Sequence, residues 1–294
     1  MPTRSSSPPH PAAGARLSAT AGDPGPLRPG PVTLLAWTNV LFGATGAACA
    51  WVTSTALGHP GDPVLAAFAF FLVAAVYTRD RLQSAGDGTS RRSAWTARHA
   101  RSLRGWTAAC VLVLPPLAVL RPWCAVALAT AGTLGWCYAT PLVPWRGPRR
   151  APRDLPGLKL PYVVAVWAVV TVLLPAAQHG RLQDSRTWCL ALSLALIMSV
   201  TALLNDVRDV DDDRHQGAMT LPVLLGERGT RVTAYALAAG GVGVGQLVLP
   251  LPTLVWALYN VTLLARYRPR PGVHPRPWVD VQGLVPLTAV LLTG

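Results

Sequence analysis

TWCLALSLALIMSVTALLNDVRDVDDD, Thr187 to Asp213, sets an apolar run, Thr187 to Leu204, directly against a polar one, Asn205 to Asp213. The chain has 13 acidic residues, and five of them sit between 206 and 213. A helix turns about 100° per residue, so Asp206, Asp209 and Asp213, at i, i+3 and i+7, fall within about 60° of one face. Three carboxylates at the edge of a low-dielectric region repel each other unless a divalent cation sits among them. Hard oxygen ligands that only partly enclose the metal suit Mg²⁺, which completes its shell with waters and phosphate oxygens. A solvated acidic loop or a helix cap is the plainer reading of such a run. The apolar stretch before it favours function, because carboxylates at the end of a membrane helix are costly to keep.

The spacing recurs upstream. An apolar run from Pro63 to Tyr77 ends in Arg79-Asp-Arg-Leu-Gln83-Ser-Ala-Gly-Asp87, with Asp80, Gln83 and Asp87 again at i, i+3 and i+7. Two such faces could supply both sides of a metal–diphosphate site.

Around these stretches the 294 residues are 51% hydrophobic and only 13% charged, with a mean hydropathy of +0.35. That charge fraction is about half the soluble norm. The apolar residues are bunched in runs near the length of a membrane span, so the expected class is all-α, a polytopic membrane bundle of about nine helices. Residues 1–30, rich in Pro, Ser, Gly and Ala, are expected to be a disordered cytoplasmic tail, with one bundle domain over 31–294. Spans are expected near 32–57, 63–79, 105–120, 123–140, 160–177, 187–205, 231–249, 251–265 and 277–293, with Trp95 to Trp106 as an interfacial helix in a basic loop. The glycines from Gly240 to Gly245 follow no strand, so they read as close helix packing and not as a dinucleotide loop. Five cysteines lie in apolar runs without metal-ligand spacing and read as packing residues.

Net charge of +13 raises the question of nucleic acid. The layout answers it. With a cytoplasmic N-terminus and nine spans, all but three of the 26 Lys and Arg residues fall on the cytoplasmic side, the exceptions being Arg121, Arg181 and Arg186. That asymmetry is the positive-inside rule of a multi-pass protein of the cell membrane, with the lipid bilayer as partner and no nucleic acid. Both Asp-rich stretches then face the cytoplasm.

Asp209-Val-Asp-Asp-Asp213-Arg-His-Gln-Gly217-Ala-Met-Thr220-Leu-Pro-Val-Leu-Leu-Gly226 resembles the second Asp-rich motif of the UbiA superfamily of intramembrane prenyltransferases. Tyr138-Ala-Thr-Pro-Leu and Leu155-Pro-Gly-Leu-Lys159 resemble that family's segment between helices four and five, and the likeness runs over roughly 32–293. The family has nine helices and two motifs, NDxxDxxxD after helix two and DxxxD after helix six. In the first motif this chain has Arg79 for Asn and Gln83 for the middle Asp, and Leu142 stands at the lysine of YxxxK.

The resemblance implies ionisation of a prenyl diphosphate with Mg²⁺ held by Asp80, Asp87, Asp206, Asp209 and Asp213, which carry the catalysis. Arg79, Arg92, Arg146, Lys159 and Arg214 are the candidate diphosphate clamps, since a guanidinium binds two phosphate oxygens at once. Asn39 matches the family's polar residue in helix one, a diphosphate contact in this reading, with a packing hydrogen bond as the alternative, and Tyr138 stands at the tyrosine of YxxxK, a further diphosphate-binding position. Trp37, Tyr77, Trp136, Tyr138 and Trp167 could line an isoprenoid tunnel, although packing accounts for each singly. The expected reaction is prenyl transfer to a lipophilic acceptor such as an aromatic ring. A terpene cyclase using the same ionisation is the alternative within the family. A non-catalytic membrane protein or ion transporter is the alternative outside it, but transporters favour carboxylates at mid-span and inverted repeats. His99, His179 and His215 have no partners at ligand spacing.

Overall fold

The computed structural model describes residues 29–85, 91–144, 149–208, 210, 213–214, 219–266 and 279–293. Helices make nearly all of it. In chain order they are α1 Pro31–Trp37, α2 Val40–Ala56, α3 Pro63–Ser84, α4 Arg91–Arg98, α5 Ala100–Leu120, α6 Pro122–Ala139, α7 Lys159–Ala168, α8 Leu174–Gln178, α9 Ser185–Arg208, α10 Leu221–Gly245, α11 Pro250–Arg266 and α12 Leu284–Thr293. Between α6 and α7 the chain forms a small antiparallel hairpin, β1 Val143–Pro144 with β2 Arg149–Arg150, and a 3₁₀ turn, Pro152–Asp154.

Side-by-side packing closes these helices into a ring. α2 packs on α3, α3 on α5, α5 on α6, α6 on α8, α7 on α9, α9 on α10, α10 on α11, α11 on α12, and α12 returns to α2. The outer wall is apolar: Leu112 is 74% exposed, Val119 83% and Leu292 81%. Inside lie Thr45, Thr78, Asn260, Asp280 and Gln282, all buried. Polar residues within and bare leucine and valine without suit a chain whose outer solvent is hydrocarbon.

The expected span count is only partly met. Among the described residues four helices are long and apolar enough to cross a membrane: Pro63–Gln83, Ala100–Leu120, Lys159–Gln178 and Ser185–Val207. The bent pair α1–α2 makes a fifth if taken as one span. α11 and α12 occupy ring positions but are shorter, and α10 carries Glu227, Arg228 and Arg231 near its start.

Several expected boundaries move, each for a local reason. The first span is broken at Thr38–Asn39 by a 73° bend, with Asn39 in the left-handed region at φ 59. The break exposes the last carbonyls of α1, which need partners away from water. Arg81 supplies one, its Nη1 donating to the Trp37 carbonyl at 2.8 Å. The fifth span widens into a π turn, Val169–Leu173, because Pro175 has no N–H to offer the carbonyl four residues back. The seventh helix starts ten residues before the expected span, α10 opening at Leu221 after its cap Thr220 and kinking at Gly226 (φ 67). The ninth span begins as turns and becomes helical only at Leu284. The interfacial segment is interrupted at His99, with α4 held by Trp95 against Trp37, ring centroids 5.2 Å apart.

The glycine-rich stretch lies inside α10, against α9. A Cβ on Gly241 would stand 2.6 Å from Ile197 Cγ1, and one on Gly245 would stand 2.2 Å from Thr253 Cγ2. Ser193 Oγ donates to the Gly241 carbonyl at 2.8 Å through that close approach. All five cysteines are free thiols, three of them buried.

Candidate active site

The end of α3, the end of α6, the 3₁₀ turn, the start of α7, the end of α9 and the start of α10 meet at one mouth of the ring. Lys159, the first residue of α7, sets its Nζ 2.7 Å from Asp206 Oδ1 on α9. Asp206 is nearly enclosed, its side chain 8% exposed. Asp213 is also buried, and Thr220 Oγ1 donates to its Oδ2 at 3.0 Å. The charge of Asp213 reaches Lys159 as well. Two buried carboxylates therefore gather beside one ammonium, and carboxylate oxygens are the hard donors that a divalent cation takes. Among the described residues no group of three His, Cys, Asp or Glu gathers as a metal cluster.

Across the mouth, Asp80 on α3 receives Arg153 Nη1 on its Oδ1 at 3.3 Å. Arg153 belongs to the 3₁₀ turn, and its Nε also lies 3.6 Å from Asp154. The turn is anchored beside the acidic end of α9, since Gly157 N–H donates to the Met219 carbonyl at 3.3 Å. Tyr138, at the end of α6, feels the charges of Lys159, Asp80 and Asp206, and its ring stacks on Tyr162 at 5.0 Å.

Below the mouth the ring interior turns aromatic. Phe42 stacks on Tyr77, centroids 4.6 Å apart and planes within 11°. Trp167 Nε1 donates to the Tyr77 hydroxyl at 2.8 Å. Tyr77 is three residues before Asp80, one helical turn deeper, so the charged mouth leads directly to ring faces able to meet a cation. Val73, Met198 and Trp256 continue the apolar wall. Asp280 is 1% exposed, and its charge reaches Tyr77.

A model of the UbiA prenyltransferase family matches residues 92–278. The chain belongs to the UbiA prenyltransferase family. The digeranylgeranylglyceryl phosphate synthase of Natronomonas pharaonis is 31% identical over 161 residues, 54% of this chain and 53% of that protein. That of Haloquadratum walsbyi is 29% identical over 104 residues, 35% of each. The matches therefore span about half, or less, of these relatives' lengths. Among solved structures, a UbiA homolog from Archaeoglobus fulgidus bound to GPP and Mg²⁺ superposes with a TM-score of 0.57 at 14% identity, covering 88% of this chain and 95% of that one. The same homolog bound to DMAPP and Mg²⁺ gives 0.53 at 14% identity, covering 90% and 98%. The all-helical UbiA fold is thereby established.

Of the UbiA site residues expected from the sequence, the structure brings together Asp80, Asp206, Asp213, Lys159 and Tyr138. Arg79 is half-buried one residue before Asp80, and Arg214 is exposed one residue after Asp213. Asp87, Asp209 and Arg146 lie outside the described residues. Two expected diphosphate ligands are engaged elsewhere. Arg92 is buried on α4 and its Nη2 reaches the Ala36 carbonyl at 3.5 Å, joining Arg81 in capping α1. Asn39 is fully buried, and its Nδ2 donates to Thr78 Oγ1 at 3.1 Å, which ties the α1–α2 break to α3. Trp37 belongs to the α1–α4 cluster with Trp95 and Leu103 rather than to the aromatic shaft.

Sequence reasoning missed Arg153, Thr220 and Asp280. Arg153 was one of many arginines in a basic loop and carried no signal of its own. A lone aspartate inside an apolar span is a signal, and Asp280 fits it.

Proposed function

We propose that the protein transfers a prenyl group from a prenyl diphosphate to a lipophilic acceptor within the membrane, with Mg²⁺. One observation carries the reading: carboxylates from α3 and α9, Asp80 and Asp206, share a mouth with Arg153 and Lys159 above an aromatic shaft. The A. fulgidus homolog of like fold, bound to prenyl diphosphates and Mg²⁺, supports the substrate class.

In this reading the prenyl diphosphate lies with its phosphates at the mouth and its chain down the shaft. Asp206 and Asp213 would hold Mg²⁺, with Asp209 as a further ligand and Asp80 across the mouth. The bound ion would neutralise charge developing on the leaving diphosphate. Lys159 and Arg153 bind phosphate oxygens and stay fixed while the carbon–oxygen bond breaks. The electron pair leaves with the diphosphate, and the allylic cation forms one turn below, against Tyr77 and Phe42. Val73, Met198 and Trp256 keep water from that cation. The acceptor then closes a bond to the same carbon and loses its proton. Cationic asymmetry supports a cytoplasmic mouth.

The assay is incubation of membranes containing the protein with Mg²⁺ and C10 to C20 prenyl diphosphates, with mass spectrometry of the lipid extract. Aromatic and glyceryl phosphate acceptors are offered in parallel, because the curated relatives are named for digeranylgeranylglyceryl phosphate. A prenylated acceptor and released diphosphate are expected. Diphosphate release with only a cyclised hydrocarbon would replace transfer with cyclisation. No consumption of any prenyl diphosphate would overturn the reading.

A further inference from the structure

We propose that Arg153 acts as a fixed cation where the α3 side of the mouth would otherwise take a metal, so that the protein binds one divalent ion per diphosphate, at the α9 end. The inference rests on the function proposed above and concerns how its diphosphate is held.

The stretches of sequence that reach the two sides of the mouth differ in charge balance. Over 205–214 the chain has five carboxylates against Arg208 and Arg214. Over 79–87 it has Asp80 and Asp87 against Arg79 and Arg81, and Gln83 on the same helix is neutral and exposed. Folding then adds Arg153 to the α3 side, 3.3 Å from Asp80 and with Asp154 3.6 Å from its Nε, and Lys159 to the α9 side, so the α3 side stays balanced while the α9 stretch keeps its excess of carboxylates. A divalent cation gains most where carboxylates exceed cations and gains little where each carboxylate already has a fixed cation. A diphosphate gains in the opposite place.

Arg153 and Lys159 are six residues apart on one short connection, held by the Gly157–Met219 hydrogen bond. They hold their carboxylates differently. The Lys159–Asp206 contact is 2.7 Å with Asp206 enclosed, whereas Arg153 and Asp80 meet at 3.3 Å with side chains 31% and 46% exposed. An ion pair that open is weak. Arg153 can therefore exchange Asp80 for phosphate oxygens, which a guanidinium binds with two parallel N–H groups. Asp80 becomes the residue that aims Arg153, a positioning residue rather than a metal ligand.

The test counts ions directly. Full-length protein in lipid nanodiscs is titrated with Mn²⁺, read by electron paramagnetic resonance, beside a saturating non-ionisable prenyl thiodiphosphate whose own Kd is measured in parallel. One Mn²⁺ per chain is expected for wild type and for Asp80→Asn, and none of comparable affinity for Asp206→Asn. Arg153→Gln keeps the single ion but weakens the analogue about tenfold or more, the scale of a lost charge-assisted hydrogen bond, and Arg153→Lys recovers part of it. Two Mn²⁺ per wild-type chain, with one lost in Asp80→Asn, overturns the inference while leaving the proposed function intact. An unchanged analogue Kd in Arg153→Gln also overturns it. Failure of wild type to bind the analogue at all refutes the proposed function and this inference with it.

Discussion

Replacing Lys159, the one lysine in the chain, by methionine keeps the length of the side chain and removes its charge. The ammonium stands 2.7 Å from a carboxylate that is 8% exposed, while the lysine itself is 30% exposed. Removing one partner of a fully buried pair costs about 3–5 kcal/mol, because the remaining charge loses its compensation. Water at the exposed side of Lys159 softens that, so we expect about 1–3 kcal/mol. For a chain of this size that corresponds to a drop of roughly 3–8 °C in melting temperature. Turnover should fall further, by about 10² in kcat, the scale seen when one preorganised charge-stabilising donor is deleted. The two effects separate in Lys159→Met with Asp206→Asn. With both charges removed, the melting temperature recovers most of the loss, whereas activity does not return because a metal ligand and a phosphate contact are both gone. The assays are heat challenge followed by size-exclusion detection of intact protein, and diphosphate release at saturating Mg²⁺. If Lys159→Met melts like wild type and turns over normally, the pair neither holds α7 to α9 nor serves the diphosphate. If the double variant loses stability as the plain sum of the singles, the two residues are not coupled and the pairing argument fails.

The α9–α10 contact offers a graded packing test. Gly241→Ala and Gly245→Ala push a methyl into Ile197 and Thr253 and should each cost about 1–3 kcal/mol, while Gly243→Ala, with nothing within 4 Å, should not lower the melting temperature; equal losses at all three would refute close packing. At the opposite end from the mouth, His59 and His179 stack with centroids 4.0 Å apart, and burial, then the neighbouring His59, pushes the His179 imidazole below its ordinary range. Asp62, Arg121 and Arg181 also face it. A depressed histidine contributes stability that is complete above its unfolded value, about 6.5, and is lost as pH falls through the folded one. The melting temperature should therefore decline from pH 7 to pH 5, and His179→Gln should flatten that decline; an equally steep curve in the variant would rule the pair out. Burial raises the Asp62 carboxyl, but the Arg121 hydrogen bond and the Leu65 and Val64 N–H groups outweigh it and hold Asp62 below the usual carboxylate range, so its contribution is lost only at lower pH. For sidedness, a single cysteine at Arg149 in a cysteine-free background should react with impermeant maleimide only from the cytoplasm, and one at Gln183 only from outside; the reverse would invert the layout.

The amino-acid sequence alone determined the class, the family and one side of the site. An apolar run long enough to span a bilayer is a local property, and so is the acidic face that closes it, which is why Thr187 to Asp213 could be read without a neighbour in view. Lys159 was legible through its short motif, and Gly240 to Gly245 through the lack of a strand before them. The tertiary structure decided what depends on contacts between distant residues. Arg153 meets Asp80 across 73 positions of chain, and in sequence it looks like any arginine of a basic loop. Asn39 was a candidate ligand through the family resemblance and Arg92 through its residue type, but the break between α1 and α2 needs polar partners in a dry interior, and both side chains contact it. The bend, the π turn and the late start of α12 are equally non-local, since hydrophobicity marks where a segment can lie in a membrane but not how its backbone is satisfied there. The charge balance of the mouth joins the two levels: the carboxylates were countable from the sequence, and that Arg153 faces Asp80 and Lys159 faces Asp206 was settled only when the ring closed.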